Sequence, residues 1–133
     1  MGIRRSVLDA LGGFDVRLSG SEDIDLSWRA LDAGYRLGWA PGATIHYRLR
    51  PEPWRVLLRR LRGGTTEPLL YRLHRDRGMK RDPPAAMSAI YAQLASGFPG
   101  ALRSPSARWE WAYRAGGRAG RLLGSARHRT LFL

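Results

Sequence analysis

Gly12-Gly13-Phe14-Asp15, Ser21-Glu22-Asp23-Ile24-Asp25-Leu26-Ser27-Trp28-Arg29, Gly34-Tyr35-Arg36-Leu37 and Pro41-Gly42-Ala43-Thr44-Ile45-His46 carry most of the information in this chain of 133 residues. Ahead of them, Val7, Leu8 and Leu11 recur at helical spacing, and Gly12-Gly13 supplies a left-handed stop, so a short helix ends in a tight turn. Ser19-Gly20-Ser21 is a loop, with Ser21 placed to cap a helix beginning at Glu22. Glu22, Asp23 and Asp25 fall in the first turn of that helix, where its positive end favours acids. Ile24, Trp28 and Leu31 make one apolar row and Leu26, Ala30 and Ala33 a second, which predicts a broad buried face. Asp25 and Arg29 are spaced to pair along the exposed side. Gly34 ends the helix, and residues 35–40 and 43–47 read as two short strands about a Pro41-Gly42 turn.

Beyond Arg50 the texture changes. Pro51-Glu52-Pro53 interrupts the chain, and Trp54, Leu57, Leu58 and Leu61 then share one face of a helix whose other side holds Arg55, Arg59, Arg60 and Arg62. A helix over Glu67 to His74 and a polar linker from Arg75 to Pro84 follow. The longest uncharged stretch, Pro83 to Leu102, has nearly the length of a bilayer span. Its paired prolines, Gln93 and the run Gly97-Phe98-Pro99-Gly100 predict a short interfacial or buried helix instead. From Ser106, the row Trp109, Tyr113, Gly116, Gly120 and Leu123 keeps helical spacing, and Gly116, Gly120 and Gly124 stand four apart, which allows close helix approach.

Charge divides the chain at the same place. Residues 1–50 hold seven Arg against six acids, whereas 51–133 hold sixteen Lys or Arg against five. The second part therefore suits an anionic surface. The absence of cysteine excludes disulfides and cysteine-ligated zinc. The N-terminus lacks the apolar core of a secretory signal, and although Met1 to Ser6 matches the myristoylation pattern, residues 1–14 read as domain interior.

Three groups have the chemistry for a reaction. Glu22-Asp23 is a carboxylate pair at a helix start, fit either for proton abstraction or for ordinary first-turn duty. Asp23-Ile24-Asp25 spells a DxD, but side chains two apart on a helix diverge and do not clamp one ion. His46 ends the second strand, where a lone histidine is structural more often than ligating, and Arg48 and Arg50 follow it as solvated arginines or anion contacts.

Taken together, the Gly-Gly-Phe-Asp, Glu-Asp-Ile-Asp-Leu-Ser-Trp-Arg and Pro-Gly-Ala-Thr-Ile-His segments resemble the acceptor-side half of a family-2 glycosyltransferase of the GT-A fold. The resemblance is close over residues 1–50 and loose over 51–75. It implies an α/β fold class: an incomplete GT-A fragment, helix-loop-helix-strand-strand, over 1–50, followed by a mostly helical basic extension over 51–133. The implied activity is transfer of a sugar from a nucleotide-sugar donor to an acceptor hydroxyl, with inversion, in cell-envelope or polysaccharide synthesis. Asp23 is the implied base, Glu22, Asp25 and Asp15 lie on the acceptor side, and Arg48 and Arg50 reach the donor diphosphate. His46 would complete a divalent site, Mn2+ or Mg2+, whose remaining ligands this chain lacks, with His46 and Asp23 facing one cleft.

The strands and DxD of the nucleotide-binding half are missing from the sequence, so the chain is expected to be inactive alone. Processive synthases of the family carry Gln-x-x-Arg-Trp, but the sole glutamine here, Gln93, precedes Leu-Ala-Ser, which favours addition of one or a few sugars. Expected partners are the nucleotide sugar, a glycan or lipid-linked acceptor and an anionic membrane surface, with a cytoplasmic location at its inner face. The alternative is a small basic membrane-surface or nucleic-acid-binding module without catalysis, with Trp109, Trp111 and Tyr113 as stacking groups; nucleic acid is the disfavoured partner.

Overall fold

The computed structural model describes residues 2–48 and 51–133. Among these residues six α-helices run in order: α1 Arg5–Ala10, α2 Glu22–Asp32, α3 Pro53–Gly64, α4 Glu67–His74, α5 Pro84–Arg103 and α6 Pro105–Arg127, with a 3-10 turn at Arg75–Arg77. Gly12 and Gly13 both take positive φ after α1, as the sequence predicts. Gly34 closes α2 with φ +83°, and Tyr35 N–H reaches back to the Ala30 carbonyl at 3.0 Å, a Schellman ending.

The strand half of the expected fold is not seen, since the described residues contain no strand. The Pro41-Gly42 turn does form, closed by Ala43 N–H on the Ala40 carbonyl at 3.0 Å. Its flanks form no ladder, and Trp39 is 90% exposed. A β-rich sequence reports fitness for a pleated, half-buried surface, and here no neighbouring strand offers one.

The helical part is built on glycine. Cβ atoms added at Gly116, Gly120 and Gly124 of α6 would strike the carbonyls of Leu57, Leu61 and Thr65 at 2.4, 2.3 and 2.3 Å. Residue numbers rise together along both helices, so α3 and α6 run in the same direction, their backbones nearly touching. Helix α5 packs antiparallel to α6: Trp111 Nε1 donates to the Leu94 carbonyl at 2.9 Å, and Arg108 covers the orphan carbonyls of Ala101 and Leu102 at the helix end.

Three local expectations need correction. Helix α5 continues through Pro99 while packed along α6, with Trp111 bonded to the Leu94 carbonyl, one residue before the Ala95 carbonyl that Pro99 leaves without its helical donor. Ser21 sits at the N-cap of α2 without a side-chain cap bond; the Glu22 carboxylate accepts Gly20 N–H at 2.6 Å instead. On α3, Val56 and Gly64 are buried whereas Trp54 and Leu58 face solvent, because close approach to α6 turns the small-residue side inward.

Leu18, Leu69 and Leu70 form the core at the centre, with Met79 against it. Thr66 Oγ1 donates to the Ser19 carbonyl at 3.2 Å, and Gly20 packs on Gly63, so the loop preceding α2 rests on the α3–α4 junction. This docking fixes the acidic end of α2 beside the basic helices.

Candidate functional site

The first turn of α2 directs its acids to three different places. Asp25 and Leu26 turn inward and are buried, whereas Ile24 and Leu31 stay about half exposed, so the buried face is narrower than two apolar rows suggest. Arg29 Nε donates to Asp25 Oδ2 at 2.7 Å. The pairing is the one spacing predicts, but on the buried side. The remaining fork of Arg29 donates to the Leu11 and Gly13 carbonyls at 2.6 and 2.7 Å, tying α2 to the double-glycine turn. Asp25 Oδ1 lies 2.9 Å from His74 Nε2 at the end of α4, and the Trp28 ring packs on that imidazole at 5.3 Å.

His74 escaped the sequence reading. It stands four residues after Leu70 on an apolar helix face, and that register was the available sign of a buried partner. Its Nδ1 is buried without a hydrogen-bond partner among the described residues.

Above this network opens a cavity of about 430 Å³ lined by Gly13, Phe14, Asp15, Asp25, Arg29 and His74, among others. It brings Asp15 and Asp25 together. Asp15 accepts from Arg17 Nη2 at 2.6 Å, and this bond, opposed by burial, holds its carboxyl at about 2, below the usual 3.8.

Glu22 lines a different cavity of about 690 Å³ with Trp54 and four arginines, Arg55, Arg59, Arg60 and Arg62. Asp23 is exposed, and its Oδ1 accepts the Ile24 N–H at 2.8 Å. His46 and Arg48 are exposed after the Pro41-Gly42 turn; Arg50 lies outside the described residues. No hydrogen bond or ion pair joins Asp23 to His46 among the described residues. Nor do any three His, Cys, Asp or Glu side chains among them gather as a metal site, so these residues alone do not make the expected divalent centre.

A third cavity, about 1180 Å³, lies between α1, α2 and residues 35–45, walled by Val7, Leu26, Ala30, Leu37 and Ile45. The aromatic cluster of the alternative reading is engaged in packing. Trp111 meets Phe98 at 5.3 Å, and Trp109 stacks on Tyr113 at 5.6 Å. No helix among the described residues is long and apolar enough to cross a membrane.

Comparison with known proteins gives two matches of use. The family described as glycosyl transferase family group 2 matches residues 1–104, across the division at residue 50 and through α5. A pre-mycofactocin glycosyltransferase, found in two strains of Mycobacterium tuberculosis, is 36% identical over 76 residues. That match covers 56% of this chain and 16% of the relative, so the chain corresponds to a minor part of the longer protein. No solved structure matches the chain.

Proposed function

This chain belongs to glycosyl transferase family group 2, and from that premise we propose that it forms the acceptor-side part of an inverting enzyme with Asp23 as base. The observation that carries the assignment is the sorting of the acids on α2. Asp25 is buried between Arg29 and His74, Glu22 is bonded to the Gly20 N–H, and Asp23 presents an exposed carboxyl at the helix start.

In the proposed step, the Asp23 carboxylate takes the proton of an acceptor hydroxyl as that oxygen bonds to the anomeric carbon. The bond from that carbon to the donor diphosphate breaks, and the nucleoside diphosphate leaves with the electron pair. Attack from the face opposite the leaving group inverts the centre.

Asp25 and Asp15 shape the acceptor side, Asp25 by holding Arg29 and His74, Asp15 by holding Arg17 at the mouth of the same cavity. Glu22 braces the turn before α2. Arg48 and Arg50 are assigned to the donor diphosphate, and His46 to one imidazole position of a divalent site whose other ligands these residues do not supply.

The donor is a nucleotide sugar and the acceptor a hydroxyl of a cell-envelope or polysaccharide glycan, free or lipid-linked. The basic part of the chain suits the acidic inner face of a membrane, where each arginine near the surface adds about 1 kcal/mol. The deciding experiment is Asp23→Asn in an enzyme that contains the nucleotide-binding half. Transfer should be lost while donor binding persists, and retained turnover would remove Asp23 from the role.

A further inference from the structure

Away from the acceptor side, α3, α5 and α6 enclose a cavity of about 250 Å³ lined by Arg60, Gln93, Tyr113, Arg114, Arg118 and Arg121, with Ile90 and Gly117 completing its wall. We propose that this cavity binds a phosphoryl group, and that Arg60 and Arg118 are its principal donors.

Buried guanidinium N–H groups are nearly always satisfied. Here Arg60 Nε and Arg118 Nη1 are both buried and lack a hydrogen-bond partner among the described residues. The surrounding carboxylates ion-pair with both arginines without hydrogen-bonding either atom. Glu67 is bonded to Arg121 and approaches Arg60 Nη2 only to 4.0 Å. Asp82 stands 3.5 Å from Arg118 Nη1 and 3.4 Å from Arg121 Nη1, at the exposed edge. Glu110 pairs with Arg114 on the outer surface. Four cations therefore face three acids, and Arg60 Nε and Arg118 Nη1 remain without a hydrogen bond.

The supporting geometry is specific. Tyr113 lies under the Arg60 guanidinium, 4.5 Å from its ring centre, which orients that plane. Gly117 makes room for it, since a Cβ there would lie 3.2 Å from Arg60 Nη2. An oxyanion carries enough lone pairs to accept from both arginines, and Gln93 can donate to a further oxygen. The volume falls below the roughly 300 Å³ at which drug-sized sites begin, so a phosphoryl group fits better than a nucleotide. Its source is either soluble phosphate or a lipid headgroup, the latter because the apolar α5 runs alongside with Phe98 and Leu102 exposed.

The test uses the whole chain, 15N-labelled, with arginine Nε–Hε resonances followed as inorganic phosphate is added at about 0.15 M salt. Arg60 and Arg118 should shift saturably, and Arg118→Gln should weaken binding by about tenfold or more. Should that variant fail to fold by circular dichroism, Arg114→Gln, at the half-exposed edge, should still weaken binding by about threefold. Arg5→Gln, which does not line the cavity, should leave binding unchanged. Sedimentation with phosphatidylglycerol and phosphatidylcholine vesicles separates the sources. Loss of phosphatidylglycerol capture in Arg118→Gln assigns the site to lipid phosphate; unchanged capture with weakened inorganic phosphate binding assigns it to soluble phosphate. Unmoved Arg60 and Arg118 resonances, or equal affinity in wild type and variants, would overturn the proposal.

Discussion

His74 Nε2 lies 2.9 Å from Asp25 Oδ1, joining the end of α4 to the first turn of α2 across 49 positions of sequence. Both side chains are almost fully buried, and Arg29 completes the set from a quarter-exposed position. Removing one member of a buried charged network leaves the others desolvated and unpaired, which costs more than the contact itself contributes. Asp25→Ala should therefore destabilise the chain by about 3–5 kcal/mol, a large share of the stability of a domain this size. Urea denaturation followed by circular dichroism measures it, and a loss within about 0.5 kcal/mol would show the network to be dispensable.

The α3–α6 crossing makes a sharper contrast. At Gly120 a Cβ would lie 2.3 Å from the Leu61 carbonyl oxygen and 2.8 Å from Gly64 Cα, and backbone cannot swing aside as a side chain does. Gly120→Ala should cost about 2–3 kcal/mol or more. At Gly100, also helical, nothing lies within 4 Å of the added carbon. Gly100→Ala should be neutral or stabilise by about 0.5–1 kcal/mol through reduced freedom of the unfolded chain. Thermal melts of the two variants side by side test the pair.

Legibility from sequence followed the range of the forces involved. Helix ends at Gly12-Gly13 and Gly34 and the bounds of α4 were readable because glycine geometry and apolar spacing act within a few residues. Glycines four apart on α6 announced a close crossing, although not its partner. Residues 35–47 have strand-like composition yet form no ladder, because strand character depends on neighbours. Local spacing pairs Asp25 with Arg29 and points to the exposed side of α2, whereas its other partner, His74, lies in another helix and turns it inward.

Asp15 offers a test by pH. Its hydrogen bond from Arg17 sets the carboxyl at about 2 in the folded chain against the ordinary 3.8. Between these values the unfolded chain binds the extra proton, so the stabilising contribution is complete above 3.8 and is lost as pH falls through about 2. Arg17→Ala should return the carboxyl toward its ordinary value. Carboxyl-carbon NMR titration reads this directly, and because Arg17 is mostly exposed, the shift should shrink as salt rises.

Asp23 carries the opposite signature to Asp25, and that difference separates a catalytic role from a structural one. Its carboxyl is exposed and its bond to the Ile24 N–H stays within the first turn, so Asp23→Asn should change stability by no more than about 0.5 kcal/mol. Loss of a positioned general base costs about 10²–10⁴ in rate. With the nucleotide-binding half present, Asp23→Asn should lose transfer by that factor without melting earlier, whereas Asp25→Asn should lose transfer and stability together. Parallel melting and single-turnover assays distinguish them, because a base that acts only on the acceptor proton leaves donor affinity unchanged when it is neutralised.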